Sequence, residues 1–129
     1  MAFADKVAEN KRVAEKCMEI KAYNAGVTRA YYSAFLRIKD YLIDKQFDYK
    51  DFLQKRGSNE MIFSHGTLQA AVADCLMKNG KKPVDVYKLF VLSSLYEKRK
   101  RADYTKENII EPELKASLND LNTVLSVVT

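Results

Sequence analysis

The sequence predicts an all-α protein, a helical bundle of four long helices and one or two short ones, in a single domain that spans residues 1–129. Apolar residues recur three and four positions apart in several long segments, which is the spacing of one helical face. No run of four to eight residues alternates apolar and polar side chains between hairpin signals, so strands are not expected. The chain has only four Gly and two Pro, which favours few loops and long regular elements.

The first two predicted helices lie in the N-terminal third of the chain. Apolar residues at helical spacing mark the first one: Phe3, Val7, Ala14, Cys17 and Met18. The segment from Ala22 to Asp44 predicts a second, amphipathic helix. Its apolar face comprises Val27, Tyr31, Ala34, Phe35, Ile38 and Leu42, and its polar stripe comprises Arg29, Ser33, Arg37 and Asp40. We expect this long helix to be central and to form an α-hairpin with the first.

The helical pattern weakens between Lys45 and Phe63. Asp48 has the side chain of a helix N-cap, and it predicts a short turn that buries Tyr49, Phe52 and Leu53. The tripeptide Gly57-Ser58-Asn59 then breaks the turn, because these residue types favour loops. One short helix is therefore expected here, between the long helices.

The second half of the chain predicts three more helical segments. One carries Leu68, Ala71, Val72, Cys75, Leu76 and Asn79 on a single face and ends at Gly80, as helices often do. The next begins at Pro83 and runs to about Tyr104, with Val84, Tyr87, Val91, Leu95, Lys98 and Ala102 at the same period. The last follows Glu111 and Pro112 and carries Leu114, Leu118, Leu121, Leu125 and Val128.

Composition limits the cellular context and the chemistry. The net charge of +5 permits attraction to phosphate or to an acidic partner without requiring it. Cys17 and Cys75 have no CxxC spacing and no His partners, so we expect reduced, buried thiols. The start of the chain has no apolar run, and nowhere are eighteen apolar residues consecutive. We therefore expect a cytoplasmic protein without a signal peptide or membrane contact.

Arg99 differs from the other cations of the run Lys98-Arg99-Lys100-Arg101. Successive helical residues point about 100° apart, so these four side chains cannot share one face. Arg99 falls in line with Leu92, Leu95 and Ala102, which places it partly against the bundle with Asp103 as its partner. An exposed pair of this kind contributes only about 0.2–0.5 kcal/mol. A polar pocket or a dimer interface explains a guanidinium on this face better.

The segment Arg29 to Phe35 reads RAYYSAF. Tyr31 and Phe35 are four residues apart and belong to the core face, whereas Arg29 and Tyr32 are three apart and are predicted to face another helix or a subunit. The alternative is ordinary aromatic packing, and composition alone heavily favours it.

His65 is the single histidine and lies near a predicted helix start. A lone histidine of this kind is usually structural. The sequence contains no Gly-rich phosphate loop, no HExxH, no nucleophile elbow and no cluster with metal-ligand spacing. We accordingly expect neither a metal site nor a cofactor.

Three blocks together carry a family resemblance: RAYYSAF at Arg29 to Phe35, His65 at the head of the next long helix, and RKRADY at Arg99 to Tyr104. With these blocks, over roughly Lys6 to Val127, the chain resembles the HEPN domain family of prokaryotes, in the type associated with minimal nucleotidyltransferases. The resemblance implies an up-and-down helical bundle that usually dimerises. It also implies a companion nucleotidyltransferase in a toxin–antitoxin or nucleotide-handling pair.

The chain departs from that family in two places. Many members are metal-independent ribonucleases with a His about four to six residues after the Arg, contributed by both subunits at the dimer seam. Here Tyr104, Thr105, Lys106, Glu107 and Asn108 follow instead, so the usual acid–base imidazole is missing. The segment from Lys45 to Ser64 is also longer than the corresponding connection in similar proteins.

Three functions remain open at this point. The favoured one is a non-enzymatic module that binds nucleotide, RNA or a partner's acidic surface. Arg contacts phosphate bidentately and Tyr stacks on bases, so both residue types suit such a groove. The groove would comprise Arg29, Tyr32, Arg99, Asp103 and Tyr104. The second is a metal-independent ribonuclease toxin, with Arg99 stabilising charge and His65 or Tyr104 transferring protons. The third is a structural homodimer without a ligand. The catalytic residues therefore stay unassigned, with Arg99, His65 and Tyr104 as candidates.

Overall fold

The computed structural model describes residues 3–57 and 65–129 of the chain, and its regular elements are all helical. In order these are α1 (Ala4–Glu19), α2 (Tyr23–Asp44), α3 (Tyr49–Lys55), α4 (His65–Lys78), α5 (Pro83–Tyr87), a 3-10 turn (Lys88–Phe90), α6 (Val91–Tyr104) and α7 (Glu111–Val127). No strand occurs in the two described ranges. The prediction of an all-α bundle is therefore confirmed for this part of the chain. None of the described helices is both long and apolar enough to cross a membrane.

Helix α2 is the central element, because it packs against α1, α4, α6 and α7. Its predicted apolar face is buried, with Val27, Ala34 and Ile38 fully inaccessible and Tyr31 and Leu42 nearly so. All of them except Val27 join the stripes of α4, α6 and α7 in the main core. Val27 belongs to a smaller core cluster with Cys17, Ile109 and Leu114. The expectation of a central second helix is thus met.

The predicted polar stripe of α2 is solvated only in part. Ser33 is fully buried and donates a hydrogen bond to the carbonyl of Val7 on α1, at 2.8 Å. Asp40 is buried as well and forms an ion pair with Arg37, whose Nε donates to the carbonyl of Val128 at 2.7 Å. A helix with neighbours on several sides buries its polar residues too, and each of these residues has a partner that offsets its desolvation.

The contact of α2 with α1 and α7 is very close at Gly26. A Cβ at this position would lie 2.6 Å and 2.8 Å from the two methyl carbons of Leu114 and 3.1 Å from Cβ of Cys17. Leu114 is itself fully buried. Gly26 is therefore required by packing, which explains a glycine inside a helix where it normally weakens the element.

The short helix predicted after Asp48 is present as α3. The carboxylate of Asp48 accepts a hydrogen bond from the backbone N–H of Asp51 at 2.9 Å, which is N-capping as expected. Leu53 is buried, and Tyr49 and Phe52 are half-buried against the main core. Gly57 follows with φ +69°, a conformation that favours glycine. Ser58 and Asn59, the rest of the predicted breaker, lie outside the described residues.

The single helix predicted from Pro83 to Tyr104 is wrong. The 3-10 turn at Lys88–Phe90 interrupts it, so α5 and α6 are separate elements. Val84 and Tyr87, which we assigned to the core face, are 66% and 76% exposed, whereas Val86, Leu89, Leu92 and Leu95 are buried. A 3-10 turn has three residues per turn instead of 3.6, so positions three apart align and the apolar face moves.

Both cysteines are free and buried, as the sequence predicts. Cys17 belongs to α1 and Cys75 to α4. Burial raises the pKa of each thiol above its ordinary value, which keeps it protonated and unreactive at neutral pH.

Candidate functional site

Arg99 projects from α6 towards α2, and tyrosine rings surround its guanidinium. Cζ lies 5.8 Å from the ring centre of Tyr31, 5.5 Å from that of Tyr32 and 5.1 Å from that of Tyr104. Nη2 donates a hydrogen bond to the hydroxyl of Tyr32 at 3.1 Å. The side chain is only 17% exposed. Contacts at these distances are favourable cation–π interactions, which explains how a cation is held on this face.

Asp103 and Thr28 complete this arrangement. Oδ2 of Asp103 lies 3.1 Å from Nε of Arg99, which is an ion-pair distance. Oδ1 accepts a hydrogen bond from the hydroxyl of Thr28 on α2 at 2.8 Å. Nε is nevertheless buried without a hydrogen-bond partner among the described residues, because a hydrogen bond depends on the direction of the N–H as well as on distance. We call Thr28, Tyr31, Tyr32, Arg99, Asp103 and Tyr104 the Arg99 cluster.

The cluster shifts the proton affinities of its members. Burial raises the pKa of Tyr31 to about 12, although the charge of Arg99 partly opposes this. Burial lowers the pKa of Arg99, but its electrostatic interactions with Tyr32, Tyr104 and Asp103 outweigh that effect and the net pKa is raised. The cluster therefore holds a permanent cation beside a phenol that stays neutral at physiological pH.

His65 reaches the same aromatic group from α4. Its ring stacks on Tyr96 of α6 at 4.1 Å between centres and 7° between planes, and it lies 6.1 Å from the ring centre of Tyr31. Nε2 is buried and has no hydrogen-bond partner within residues 3–57 and 65–129. Burial lowers the pKa of His65, and Lys100 lowers it further. A neutral imidazole, His65, and a cation, Arg99, thus both lie near the ring centre of Tyr31, at 6.1 Å and 5.8 Å.

The structure does not bring every sequence-predicted site residue to this place. Tyr32, Arg99, Asp103 and Tyr104 meet in the Arg99 cluster. Arg29 is exposed and turns towards α1 instead, where its Nη1 donates to the side chain of Asn10 at 3.2 Å. The position of Arg29 one turn before Tyr32 is therefore insufficient to place both side chains in one groove.

Sequence reasoning missed Thr28, Tyr96 and Lys100 as neighbours of the site. Lys100 lies over the ring of Tyr96, with Nζ 4.8 Å from its centre. A spacing signal existed for each of them. Thr28 precedes Tyr31 and Tyr32 by three and four residues, and Tyr96 precedes Arg99 and Lys100 by three and four, so each shares a helical face with its group.

The arrangement can bind an anion and stack a base. Arg99 supplies donors suited to phosphate oxygens. Tyr104 is 70% exposed and Tyr32 is 37% exposed, so aromatic surface borders the cation on its open side. Within the described residues, no three His, Cys, Asp or Glu side chains come together as a group able to hold a metal ion.

A comparison of the chain with protein-family models gives no match, and a comparison with curated proteins gives none either. The resemblance to the HEPN family therefore depends on the three sequence blocks alone. In the structure, Tyr31 and Tyr32 of the first block, His65, and Arg99 with Tyr104 of the last block meet at one group of rings.

Proposed function

We propose that this chain is a HEPN-like binding module that holds a phosphate-bearing ligand, a nucleotide or RNA, at the Arg99 cluster and does not cleave it. One observation carries the proposal. Arg99 is largely buried among three tyrosine rings, yet its Nε makes no hydrogen bond in the described part of the chain. A buried donor without a partner costs about 1–3 kcal/mol, and a ligand oxygen that reaches Nε when the exposed ring of Tyr104 moves aside would remove that cost.

The tyrosines support a ligand that contains bases. Stacking of a base on an aromatic side chain contributes about 1–3 kcal/mol and tolerates any sequence. Tyr104 offers such a ring beside the cation, and its large exposed fraction leaves the ring free to be covered. A nucleotide would place its phosphate on Arg99 and its base on Tyr104.

The partners in this proposal come from the family resemblance. A homodimer, and a companion minimal nucleotidyltransferase in a toxin–antitoxin-type pair in the cytoplasm, are the assembly that the resemblance implies. The exposed ring of Tyr104 and the partly exposed ring of Tyr32 are suited to a partly polar interface, where tyrosine is enriched. The Arg99 cluster would then lie at or near a subunit boundary.

A metal-independent ribonuclease is the second candidate, and His65 favours it. The imidazole lies against Tyr31, which Arg99 also contacts, and its lowered pKa leaves it neutral and able to accept a proton. In this alternative Arg99 stabilises the charge that develops on phosphate, with His65 or Tyr104 as the proton-transfer group. The absence of a His in the residues that follow Arg99 counts against it, since the usual acid–base imidazole is missing there.

The test is titration of a labelled single-stranded RNA, followed by fluorescence anisotropy, with wild-type protein, Arg99→Gln and Arg29→Gln. The two variants lose the same charge, but only Arg99 belongs to the cluster. We expect Arg99→Gln to weaken binding about tenfold to a hundredfold, since hydrogen bonds to charged groups contribute about 1.5–3 kcal/mol. We expect Arg29→Gln to bind nearly as the wild type does.

Equal affinities of the wild type and Arg99→Gln would overturn the binding proposal. The same samples, incubated in EDTA and separated on a gel, test the alternative. Cleavage by the wild type that both Arg99→Gln and His65→Gln abolish would establish the ribonuclease in its place.

A further inference from the structure

The Arg99 cluster contains its own anion, the carboxylate of Asp103. Oδ2 lies 3.1 Å from Nε of Arg99, so the pair carries no net charge. The carboxylate is 31% exposed, so solvent screens it only in part. Any phosphate that approaches Arg99 must also approach Asp103.

Thr28 determines how this carboxylate is oriented. Its hydroxyl donates to Oδ1 at 2.8 Å and ties Asp103 to α2. The remaining oxygen is near Arg99 but out of line with the Nε–H, which stays without a hydrogen bond in the described residues. Asp103 therefore partly neutralises the charge of Arg99 without occupying this donor.

We propose that Asp103 is the specificity-determining residue of the Arg99 cluster, which selects singly charged phosphodiesters over doubly charged phosphomonoesters, and that Thr28 is its positioning residue. This inference rests on the proposed function. A phosphodiester brings one negative charge to this neutral pair. A phosphomonoester brings up to two near pH 7, and the second charge faces a carboxylate with no further cation in the cluster to balance it.

The size of the effect follows from the partial exposure of the site. Two unit charges at 4 Å interact strongly at an effective dielectric constant of 20, but salt and solvent reduce the interaction for groups as exposed as these. We therefore expect a discrimination of about threefold to tenfold at low ionic strength, falling as salt is added.

The experiment measures competition against labelled RNA by two ligands, uridylyl-3′,5′-uridine, which has one diester, and uridine 5′-monophosphate, which has one monoester. We expect Asp103→Asn to improve binding of the monoester about threefold to tenfold more than binding of the diester. Asp85→Asn is the matched control, because Asp85 on α5 pairs with Lys88 and its loss changes net charge equally. We expect it to leave the ratio unchanged.

Thr28→Val tests the positioning role, because it removes the hydroxyl and keeps the shape. Freed from Thr28, Asp103 can turn to Nε, so we expect weaker binding of both ligands. In an Asp103→Asn background, Thr28→Val should have no effect on affinity. If Thr28→Val acted only through lost packing, it would weaken binding equally in both backgrounds. Unfolding curves of all variants confirm that they are folded.

An unchanged diester-to-monoester ratio in Asp103→Asn would overturn this inference and leave the proposed function standing, provided that Arg99→Gln still weakens RNA binding. An equal effect of Thr28→Val in both backgrounds would remove the positioning role. Failure of every protein, wild type included, to bind either ligand or RNA would overturn both the proposed function and the inference drawn from it.

Discussion

Arg99 and Arg101 are two residues apart on α6, about 200° apart around the helix, and their surroundings differ completely. Carboxylates hold Arg101: Nε lies 2.9 Å from Glu107, and Nη1 and Nη2 both contact Glu113. Aromatic rings hold Arg99, with one misaligned carboxylate. The donors of Arg101 are satisfied by its own chain and stabilise the fold, whereas the incomplete donor set of Arg99 is what the proposed ligand would complete.

The region around Arg101 is a connection between α6 and α7. Glu113 also accepts a hydrogen bond from the backbone N–H of Ile110 at 3.2 Å, and Thr105 bonds to the carbonyl of Arg101 at 2.7 Å. Hydrogen bonds to Glu113 and Glu107 raise the pKa of Arg101, and the same contact to Arg101 lowers the pKa of Glu113. These residues fix the path of the chain between the two helices.

The largest effect on stability is expected at Gly26, where α2 meets α7. Helix α2 carries half of the Arg99 cluster, and α7 carries Glu113, which binds Arg101. Gly26→Ala should destabilise the fold by about 1–3 kcal/mol, the usual cost of overpacking. This outweighs the gain of about 1 kcal/mol in helix propensity, because Leu114 is fully buried and cannot turn away. Denaturant unfolding measures the change.

A partner substitution makes that prediction specific. Leu114→Ala on its own should destabilise the protein through the cavity that it leaves. The double variant Gly26→Ala/Leu114→Ala should lose less stability than the sum of the losses of the two single variants. The new methyl group fills part of the cavity that Leu114→Ala leaves. Strict additivity would show that the close contact at Gly26 is not the cause.

The second prediction compares the two arginines directly. Arg101→Gln should lower the midpoint of thermal unfolding by several degrees, because Glu107 and Glu113 lose their shared partner. Arg99→Gln should lower it less, since Arg99 gives up ring contacts and a single ion pair. Scanning calorimetry of both variants measures the order. A larger decrease of the midpoint for Arg99→Gln than for Arg101→Gln would contradict the distinction between a structural Arg101 and a ligand-binding Arg99.

The smallest effect concerns His65, whose Nε2, like Nε of Arg99, is buried without a hydrogen-bond partner in the described residues. Its pKa in the folded protein lies below the ordinary 6.5, so the unfolded chain takes up a proton first as the pH falls. The stability associated with the neutral imidazole is thus complete above about pH 6.5 and is lost as the pH falls towards the folded-state pKa.

We therefore expect the thermal unfolding midpoint to decrease as the pH is lowered from 7.5 to 5.5. The decrease should be smaller in His65→Gln than in the wild type. The two proteins share every carboxylate, so the difference between their curves isolates the histidine. Parallel curves would mean that the imidazole titrates equally in both states, and that its place on Tyr96 has no energetic consequence.

Sequence patterns predicted several features that arise between residues three or four positions apart. They placed the stripes of α2, α4 and α7, the cap at Asp48, and the pairing of Arg99 with Asp103. They could not show that Arg29 and Tyr32 face different helices, because α1 and α6 lie on different sides of α2. Thr28 was missed for the same reason, since its partner Asp103 is 75 residues away in the chain.

The error between Pro83 and Tyr104 had a different origin. The residues on both sides of the 3-10 turn are compatible with a continuous α-helix, and Lys88–Phe90 contains neither Gly nor Pro to mark an interruption. Burial of Leu89 and Val86 decides the local winding, and burial is a property of the assembled bundle. The pairing of Arg99 with Asp103 downstream was nevertheless predicted correctly, because both residues lie within α6.

The 3-10 turn at Lys88–Phe90 also limits which insertions and deletions the chain can accept between α5 and α6. Three residues turn the chain by about 360° in a 3-10 turn and by about 300° in an α-helix. If these three residues were α-helical, α6 would be rotated by roughly 60°. Deletion of one residue from the 3-10 turn would rotate α6 by about 120°. Lys98 or Lys100 would then meet the tyrosines of α2 in place of Arg99. Insertions and deletions at Lys88–Phe90 should therefore be far less tolerated than substitutions there, although these residues lie nine or more positions from Arg99.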